Sequence, residues 1–375
     1  MTKKAASKKA SIKAKPAQKT RPQANKATAK KAPAKKVTVK TVAKKAAPAK
    51  KVIVKTVAKK AAPAKKVDLK KVATKKVPVK VDPKKQTIES IVELIRRTST
   101  EVPDDVFNAI VAARKQEAAN TTAAYAMDII NDNIDLAKLK SQPLCQDTGT
   151  VIFFIYHPPG FHQTPFKELI KKSVTLATEK GYLRQNSVNS ITGKNEGSNV
   201  GEGHPSIHFY EHNKKEVEIK LMLKGGGCEN TSTQYSLPDS TLGAGRDLEG
   251  VRKVIIDAVY KAQGKGCGPG SLGVCIGGDR ADSAYNAKKQ LLRKLDDSNS
   301  MPELDKLEKE IVKTCNELGI GPMGFGGKTT LLSCKITHAN RVPASFFVSV
   351  SYMCWAFRRQ GVVLDSNLKI KKWLY

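Results

Sequence analysis

The first 85 residues contain no aromatic residue and only two acidic residues, Asp68 and Asp82. They hold 30 lysines and arginines, a net charge of +28, whereas the other 290 residues have a net charge of only +5. The segment VKTVAKKAAPAKKV occurs twice, at 39–52 and 54–67. With so little apolar surface to offset its ordering entropy, this Lys/Ala/Pro-rich segment is predicted to be a disordered tail. Lysine blocks of this kind bind nucleic acids nonspecifically, although a solubilising extension has the same composition.

The sequence also lacks the apolar run of about 18 residues that a membrane-spanning helix requires. No secretory apolar region follows the N-terminus, and Arg21 is the only arginine of the tail, which argues against a mitochondrial transit peptide. The seven cysteines are an odd number without a signal peptide. This pattern favours a reducing compartment, and we expect a cytoplasmic protein without membrane association.

The remaining residues, 86–375, are expected to form one α+β domain, with a helix-rich N-terminal part packed on a mixed β-sheet. Hydrophobic periodicity predicts helices over 87–100, from 103 onward, and over 124–140, 165–181, 246–263, 281–296 and 302–318. Alternating or continuous apolar runs predict strands over 150–157, 271–278, 328–337 and 345–353. Two runs that flank HNKK, the second ending in three glycines, predict a β-hairpin over 206–227.

No C-x-x-C pair occurs, so a zinc finger, a thioredoxin-type dithiol and a ferredoxin-type run are disfavoured. Cys145, Cys267 and Cys354 instead stand where predicted strands meet Gly- or Pro-rich turns. Loops at strand ends commonly carry functional groups, because a rigid scaffold holds them. Three cysteines this far apart can converge only through the fold. The alternative for each is a small buried hydrophobic residue.

Four other motifs have both a functional and an ordinary interpretation. For His204 and His208 the functional interpretation is a catalytic base or ligand, and the ordinary one is a partly exposed hydrogen-bonded pair. Arg358 and Arg359 bind an anionic substrate, or form a charge pair at a helix end. The glycine-rich stretch at 224–230 holds an anion with backbone N–H groups, or is a tight turn. GIGPMGFGGK at 319–328 lacks phosphate-loop spacing, and we interpret it as a turn that brings backbone close to a cofactor.

Five ordered motifs together resemble the iron–sulfur hydro-lyases, the class I fumarases and L(+)-tartrate dehydratases. They are CQDTGT, the KGGG.EN strand end, CGPG with GVCIGG, LGIGPMGFGGK and CWAFRR. The resemblance is to the alpha subunit, or the N-terminal domain of single-chain members, and covers about 86–365.

The resemblance implies a [4Fe–4S] cluster held by Cys145, Cys267 and Cys354, with one iron free of protein ligands. Soft thiolates suit such clusters, and an open iron is a Lewis acid for a 2-hydroxy acid. The implied reaction is the reversible hydration of fumarate to malate, a step of the tricarboxylic acid cycle, or the dehydration of tartrate. Cys228 and Cys275 match positions where relatives often have Ser or Gly. Cys315 and Cys334 are expected to be core residues.

The resemblance also assigns substrate contacts. Gln146 and Asp147 should face the dicarboxylate, Asp147 should help to position or relay the catalytic base, and Arg184 should bind a substrate carboxylate. Gly227 should allow close backbone approach.

The base and further carboxylate-binding residues of the family lie on a beta subunit. This chain should therefore be inactive alone and form a heterotetramer or larger assembly. A family histidine aligns near Val342, with His338 four residues earlier, and whether His338 replaces it stays open. A polyanion-binding protein on a retired hydro-lyase fold is the alternative of a different class.

Overall fold

The computed structural model of the chain describes residues 82–375. Eight α-helices occur in this range: α1 (Pro83–Thr100), α2 (Asp104–Gln116), α3 (Thr122–Lys140), α4 (Gln163–Glu179), α5 (Gly226–Thr231), α6 (Leu248–Ala262), α7 (Arg280–Gln290) and α8 (Pro302–Glu317). The same range forms nine strands: β1 (Thr150–His157), β2 (Ser206–Glu211), β3 (Val217–Lys224), β4 (Thr233–Ser236), β5 (Gly270–Gly277), β6 (Leu331–Ala339), β7 (Phe347–Met353), β8 (Arg358–Leu364) and β9 (Ile370–Trp373).

The predicted disordered tail falls almost wholly on residues 1–81, which lie outside the described residues. The description begins at Asp82, whose carboxylate accepts a hydrogen bond of 3.0 Å from the Lys84 N–H. Pro83 occupies the first position of α1. This Asp-Pro start is a favourable helix N-terminus, because the side chain satisfies a free N–H group and proline has none.

The first sheet has five strands in the order β2-β1-β3-β8-β9, and only β1 and β2 are parallel. β1 is covered on both faces. Val151, Phe153 and Ile155 pack in the core that contains α1 and α4. Ile152 and Phe154 pack in the core that contains α2 and α3. Burial on both faces explains why β1 is continuously apolar rather than alternating.

The second sheet has four strands in the order β4-β7-β5-β6, of which only β5 and β6 are parallel. Its core is formed with α6 and α8. Both sheets are mixed, and helices precede and cover them, so the α+β prediction is confirmed. The division into two sheets was not predicted.

The predicted hairpin over 206–227 is wrong. β2 and β3 both form, but they lie on opposite sides of β1 and do not pair with each other. The connection between them crosses the end of β1, where the His212 N–H donates to the His157 carbonyl at 2.9 Å. β1 lies between β2 and β3 and is buried on both faces, as a strand inside the sheet requires.

One short connection joins the two sheets. β7 ends at Met353 in the second sheet and β8 begins at Arg358 in the first, so residues 354–357 pass from one sheet to the other. None of the described helices combines the length and the apolar character that a membrane span needs.

Candidate active site

Three loops that carry the predicted site residues meet at one edge of the two sheets. In the first sheet Thr150 pairs with Lys224, and Leu223 pairs with Arg358. The segment 145–149, the start of α5 and the start of β8 therefore lie side by side. In the second sheet Ser271 pairs with Met353, which brings the Cys267 loop close to the connection 354–357 between the two sheets.

Backbone contacts fix the cysteine loops to one another. The Trp355 N–H donates to the Cys267 carbonyl at 3.2 Å. The Cys354 N–H donates to the Cys228 sulfur at 3.2 Å. Cys267 itself has a left-handed backbone, with φ of 51°, which turns the chain sharply before β5.

Burial separates the seven cysteines into two groups. Cys145, Cys267 and Cys354 are half-buried, whereas the other four are buried. Cys315 and Cys334 lie in the core of the second sheet, as predicted. The three cysteines that the motifs single out are thus the three residues that are not fully buried.

The thiols also influence one another electrostatically. Burial raises the pKa of Cys267, and the nearby charges of Cys228, Cys145 and Asp147 raise it further. The neighbouring side chain of Cys354 lowers the pKa of Cys228, and that of Cys228 raises the pKa of Cys354. Cys228 is therefore a fourth sulfur at this edge, which the motif comparison did not assign.

No three Cys, His, Asp or Glu side chains of residues 82–375 are gathered closely enough to hold a single metal ion. A cluster makes a different demand, because each cysteine binds a different iron and the sulfurs need not share one atom. Three half-buried thiols on loops that meet at one edge fit a cluster rather than a mononuclear site.

Asp147 fastens three segments of the chain together. One carboxylate oxygen accepts from the Gly149 N–H at 2.8 Å and from the Asn186 side-chain amide at 2.9 Å. The other accepts from the Gly226 N–H, at the start of α5, at 2.6 Å. The buried Arg358 guanidinium donates to the Asp147 carbonyl at 2.6 Å.

The other predicted substrate contacts are exposed near Asp147. Gln146 is exposed, and the Cys145 thiol lies 3.9 Å from its side-chain oxygen. Arg184 is exposed, and its N–H donates to the Thr148 hydroxyl at 2.7 Å, which places its loop one residue from Asp147. Gly227 is exposed on α5, and a Cβ atom there would meet no heavy atom closer than 4.0 Å.

His338 and Val342 lie away from this edge. His338 pairs with Ile276, whereas Ser271 pairs with Met353 next to Cys354. Ser271 and Ile276 are five residues apart on β5, which is about 17 Å at the usual rise per residue of a strand. His338 therefore does not replace the family histidine beside the cysteines.

His204 and His208, the predicted pair, do not bond to each other. His208 bonds through Nε2 to the Ser206 hydroxyl at 2.9 Å, while His204 Nε2 is buried without a partner among the described residues. Burial lowers the pKa of both imidazoles, so both are neutral at pH 7.

The arginine pair is neither an exposed anion site nor a helix end. Arg358 and Arg359 begin β8 and are fully buried. Arg358 bonds to the Asp147 carbonyl, and Arg359 forms an ion pair with Asp105 of α2. A buried guanidinium needs such partners, since an unpaired charge is costly to bury.

The loop at 319–328 packs against the Cys267 loop. The Met323 N–H donates to the Gly268 carbonyl at 2.9 Å, and the backbones of Gly264 and Gly324 are in contact. Glu117, which is buried, accepts the N–H groups of Lys328 and Thr329 at 2.8–3.0 Å. The glycines allow this close backbone approach.

Sequence reasoning missed Lys224, which ends β3 and is fully buried. Its ammonium group lies 3.5 Å from the Glu229 carboxylate and donates to the Tyr352 carbonyl at 2.8 Å. Burial lowers its pKa, and the charge of Glu229 opposes that effect. The available signal was a lysine that directly follows the apolar run LML within a strand, because lysine is rarely buried without partners.

Comparisons with known proteins agree on one family. A sequence model described as fumarate hydratase (Fumerase) matches residues 88–363. The Geobacillus stearothermophilus protein named "Putative fumarate hydratase class I" is 52% identical over 291 residues, which are 76% of this chain and 57% of that protein. The Methanocaldococcus jannaschii protein named "Putative L(+)-tartrate dehydratase subunit alpha" is 36% identical over 74% of this chain and 98% of its own length. The L(+)-tartrate dehydratase subunit alpha of Escherichia coli K12 is 28% identical over 76% of this chain and 94% of its own. The chain thus spans little more than half of the first relative and nearly all of the two alpha subunits.

Proposed function

The chain belongs to the fumarate hydratase (Fumerase) family, and from this membership we propose that it is the alpha subunit of a [4Fe–4S]-dependent hydro-lyase that interconverts fumarate and malate. One observation carries the proposal. The three cysteines that match the family motifs are the three half-buried ones, and the loops that carry them meet at one edge of the two sheets.

Cys145, Cys267 and Cys354 would hold the cluster, which supplies a Lewis acid for the hydroxyl group of a 2-hydroxy acid. Gln146 and Arg184 would bind the dicarboxylate, since both are exposed beside the Cys145 loop. A guanidinium can bind a carboxylate with two hydrogen bonds. Exposed Gly227 would let the substrate approach the backbone of α5.

Asp147 would act mainly by positioning. Its carboxylate already accepts three hydrogen bonds that join the 145–149 segment, the Asn186 loop and α5. A carboxylate held in this way keeps Gln146 and Gly227 at a fixed separation. The proton transfer beside the substrate carboxylate would then require groups of a beta subunit.

Two relatives that the chain covers almost completely are named as alpha subunits, which supports a beta-subunit partner. The same two names make L(+)-tartrate the second candidate substrate. The greater identity, 52% against 36%, favours fumarate.

The test is anaerobic co-expression with a candidate beta subunit, followed by iron analysis, visible absorbance and turnover of fumarate and tartrate. Replacing Cys145, Cys267 or Cys354 by Ser should abolish the cluster absorbance. The matched changes Cys315→Ser and Cys334→Ser, at buried core positions, should retain it. If all five variants behave alike, the ligand assignment is wrong, and a polyanion-binding protein on a retired fold becomes the better proposal.

We further propose that the basic segment 1–85 binds nucleic acid, on the strength of its net charge of +28. Deletion of residues 1–80 leaves the Asp82 cap of α1 intact. This deletion should abolish salt-sensitive DNA binding without changing turnover. DNA binding that survives the deletion would contradict the proposal.

A further inference from the structure

Four lysine and arginine side chains are buried within residues 82–375: Lys224, Lys335, Arg358 and Arg359. Burying a charge is costly unless an opposite charge lies close by. The partners of these four cations therefore show where buried positive charge is balanced and where it is not.

Two of the four cations have a carboxylate partner at close range. The Arg359 guanidinium forms an ion pair with Asp105. The Lys335 ammonium group lies 2.7 Å from a carboxylate oxygen of Asp297. Asp297 is shared with Arg293, which has a second carboxylate partner. Neither group therefore carries an excess of positive charge.

Arg358 differs from these two, because it forms no ion pair within the described residues. It is only 1% exposed, and it donates at 2.6 Å to a backbone carbonyl, that of Asp147. The Asp147 carboxylate accepts three N–H groups, those of Gly149, Gly226 and the Asn186 amide, and no guanidinium.

Lys224 also lacks a carboxylate of its own. It is fully buried, and its shortest bond is to the Tyr352 carbonyl at 2.8 Å. Its ammonium group donates to the Ser232 hydroxyl at 3.2 Å and lies 3.5 Å from the Glu229 carboxylate. Lys288 holds the same carboxylate more closely, at 2.6 Å. Two ammonium groups therefore share one carboxylate.

These two cations lie on neighbouring strands at the cysteine-bearing edge. Arg358 pairs with Leu223, the residue before Lys224. Cys354 lies four residues before Arg358, and its N–H donates to the sulfur of Cys228, four residues after Lys224. The contact with Cys354, and after it the charges of Lys224 and Arg358, lower the pKa of Cys228. Both charges therefore act on a sulfur at this edge.

The edge as a whole has an excess of positive charge. Its buried and half-buried charged side chains are three cations, Lys224, Lys288 and Arg358, and two carboxylates, Glu229 and Asp147. Three positive and two negative charges leave a net charge of +1. A buried excess of this kind fits an anion held at the same edge.

We propose that Lys224 and Arg358 are the buried counter-charges of the [4Fe–4S] cluster, which stabilise its bound form and raise its reduction potential. A cluster bound by three thiolates is an anion, and its net charge is one determinant of its potential. This inference rests on the proposed function, since it requires the cluster at Cys145, Cys267 and Cys354. It adds two residues that touch neither the substrate nor the iron.

The test is the reduction potential of the cluster in the full chain, co-expressed anaerobically with a candidate beta subunit and titrated with EPR detection. Lys224→Met removes the charge, and Glu229 keeps Lys288 as its partner. Ser232→Ala disturbs the same hydrogen bonds without changing any charge. Lys335→Met is the matched control, because this buried lysine has Asp297 as its partner.

Lys224→Met should lower the equilibrium constant for reduction about 10-fold, which is a fall of about 59 mV for a one-electron couple. Iron should also pass faster from this variant to a ferrous chelator. Arg358→Gln, which keeps a donor for the Asp147 carbonyl, should shift both readouts in the same direction. Ser232→Ala and Lys335→Met should stay within about twofold of the wild type, because neither alters the charge at this edge.

Unchanged potentials in both Lys224→Met and Arg358→Gln would overturn this inference and leave the proposed function intact. A fall of equal size in Ser232→Ala would also overturn it, because the contacts rather than the charge would then set the potential. A wild-type complex that holds no cluster would overturn the proposed function and this inference together.

Discussion

Replacing Asp147 by Asn tests whether this residue holds the edge of the sheets together. The change keeps the shape and one acceptor oxygen, but it places an amide N–H₂ where the second oxygen accepts from Asn186 and Gly149, or from Gly226. At least one charge-assisted bond is lost and the remaining bonds weaken. The loss amounts to about 2–4 kcal/mol of unfolding free energy.

The assay is urea unfolding of the full chain, in which the midpoint should fall with an unchanged slope. Asp365→Asn is the matched control, because Asp365 also accepts two backbone N–H groups, but through one oxygen in a surface turn. Asparagine can reproduce both bonds, so the control should stay within about 0.5 kcal/mol of the wild type. If Asp147→Asn unfolds like the control yet turnover disappears, Asp147 does not hold the three segments together and instead acts on the substrate.

Three further predictions concern neighbouring elements. Gly181→Ala should lower the unfolding free energy by about 1 kcal/mol, because of its left-handed backbone alone. Gly149→Ala should lower it by at least about 2 kcal/mol more, because its Cβ would also meet the Lys224 backbone. Equal losses of stability in thermal unfolding would contradict this. Glu117→Gln should weaken the N–H bonds of residues 328–329 by about 1.5–3 kcal/mol and speed their hydrogen exchange, and unchanged exchange would refute the role of Glu117. Burial and then the neighbouring lysines lower the pKa of His208, so the folded state binds fewer protons than the unfolded state. Unfolding free energy should therefore fall as the pH drops below about 6.5, and His208→Phe should flatten that fall; an unchanged pH profile in the variant would contradict it.

Local elements were predictable because their signals are local. β1 was predicted with its observed bounds, 150–157, and α8 ends one residue from its predicted end. Strand pairing was not predictable in the same way. The pairing of β1 with both β2 and β3 depends on which strand buries both faces, and HNKK resembles a hairpin turn whether or not its flanking strands pair.

β8 escaped prediction because Arg358 and Arg359 look like surface residues in sequence. Their burial becomes reasonable only with Asp105 and the Asp147 carbonyl in place, and these partners lie more than 200 positions earlier. The site shows the same limit. Spacing alone left Cys145, Cys267 and Cys354 as three isolated cysteines, and only the ordered motifs joined them. Lys224 and Cys228 lie within the KGGG.EN motif, but no role was assigned to them there, and their contacts with that edge appear only through packing.

The two arginines of β8 also determine how that strand can move. Adjacent residues of a strand point to opposite faces, so Arg358 and Arg359 anchor the strand from both sides of the sheet. A slide of one residue would put Phe357 or Gln360 in a place that needs a guanidinium, and would leave one aspartate-bearing segment without its partner. β8 therefore cannot shift lengthwise by small steps. Cys354 lies four residues before Arg358, and the anchored strand fixes its position. Any change in the spacing between the three thiols therefore has to come from movement of the loops of Cys145 and Cys267.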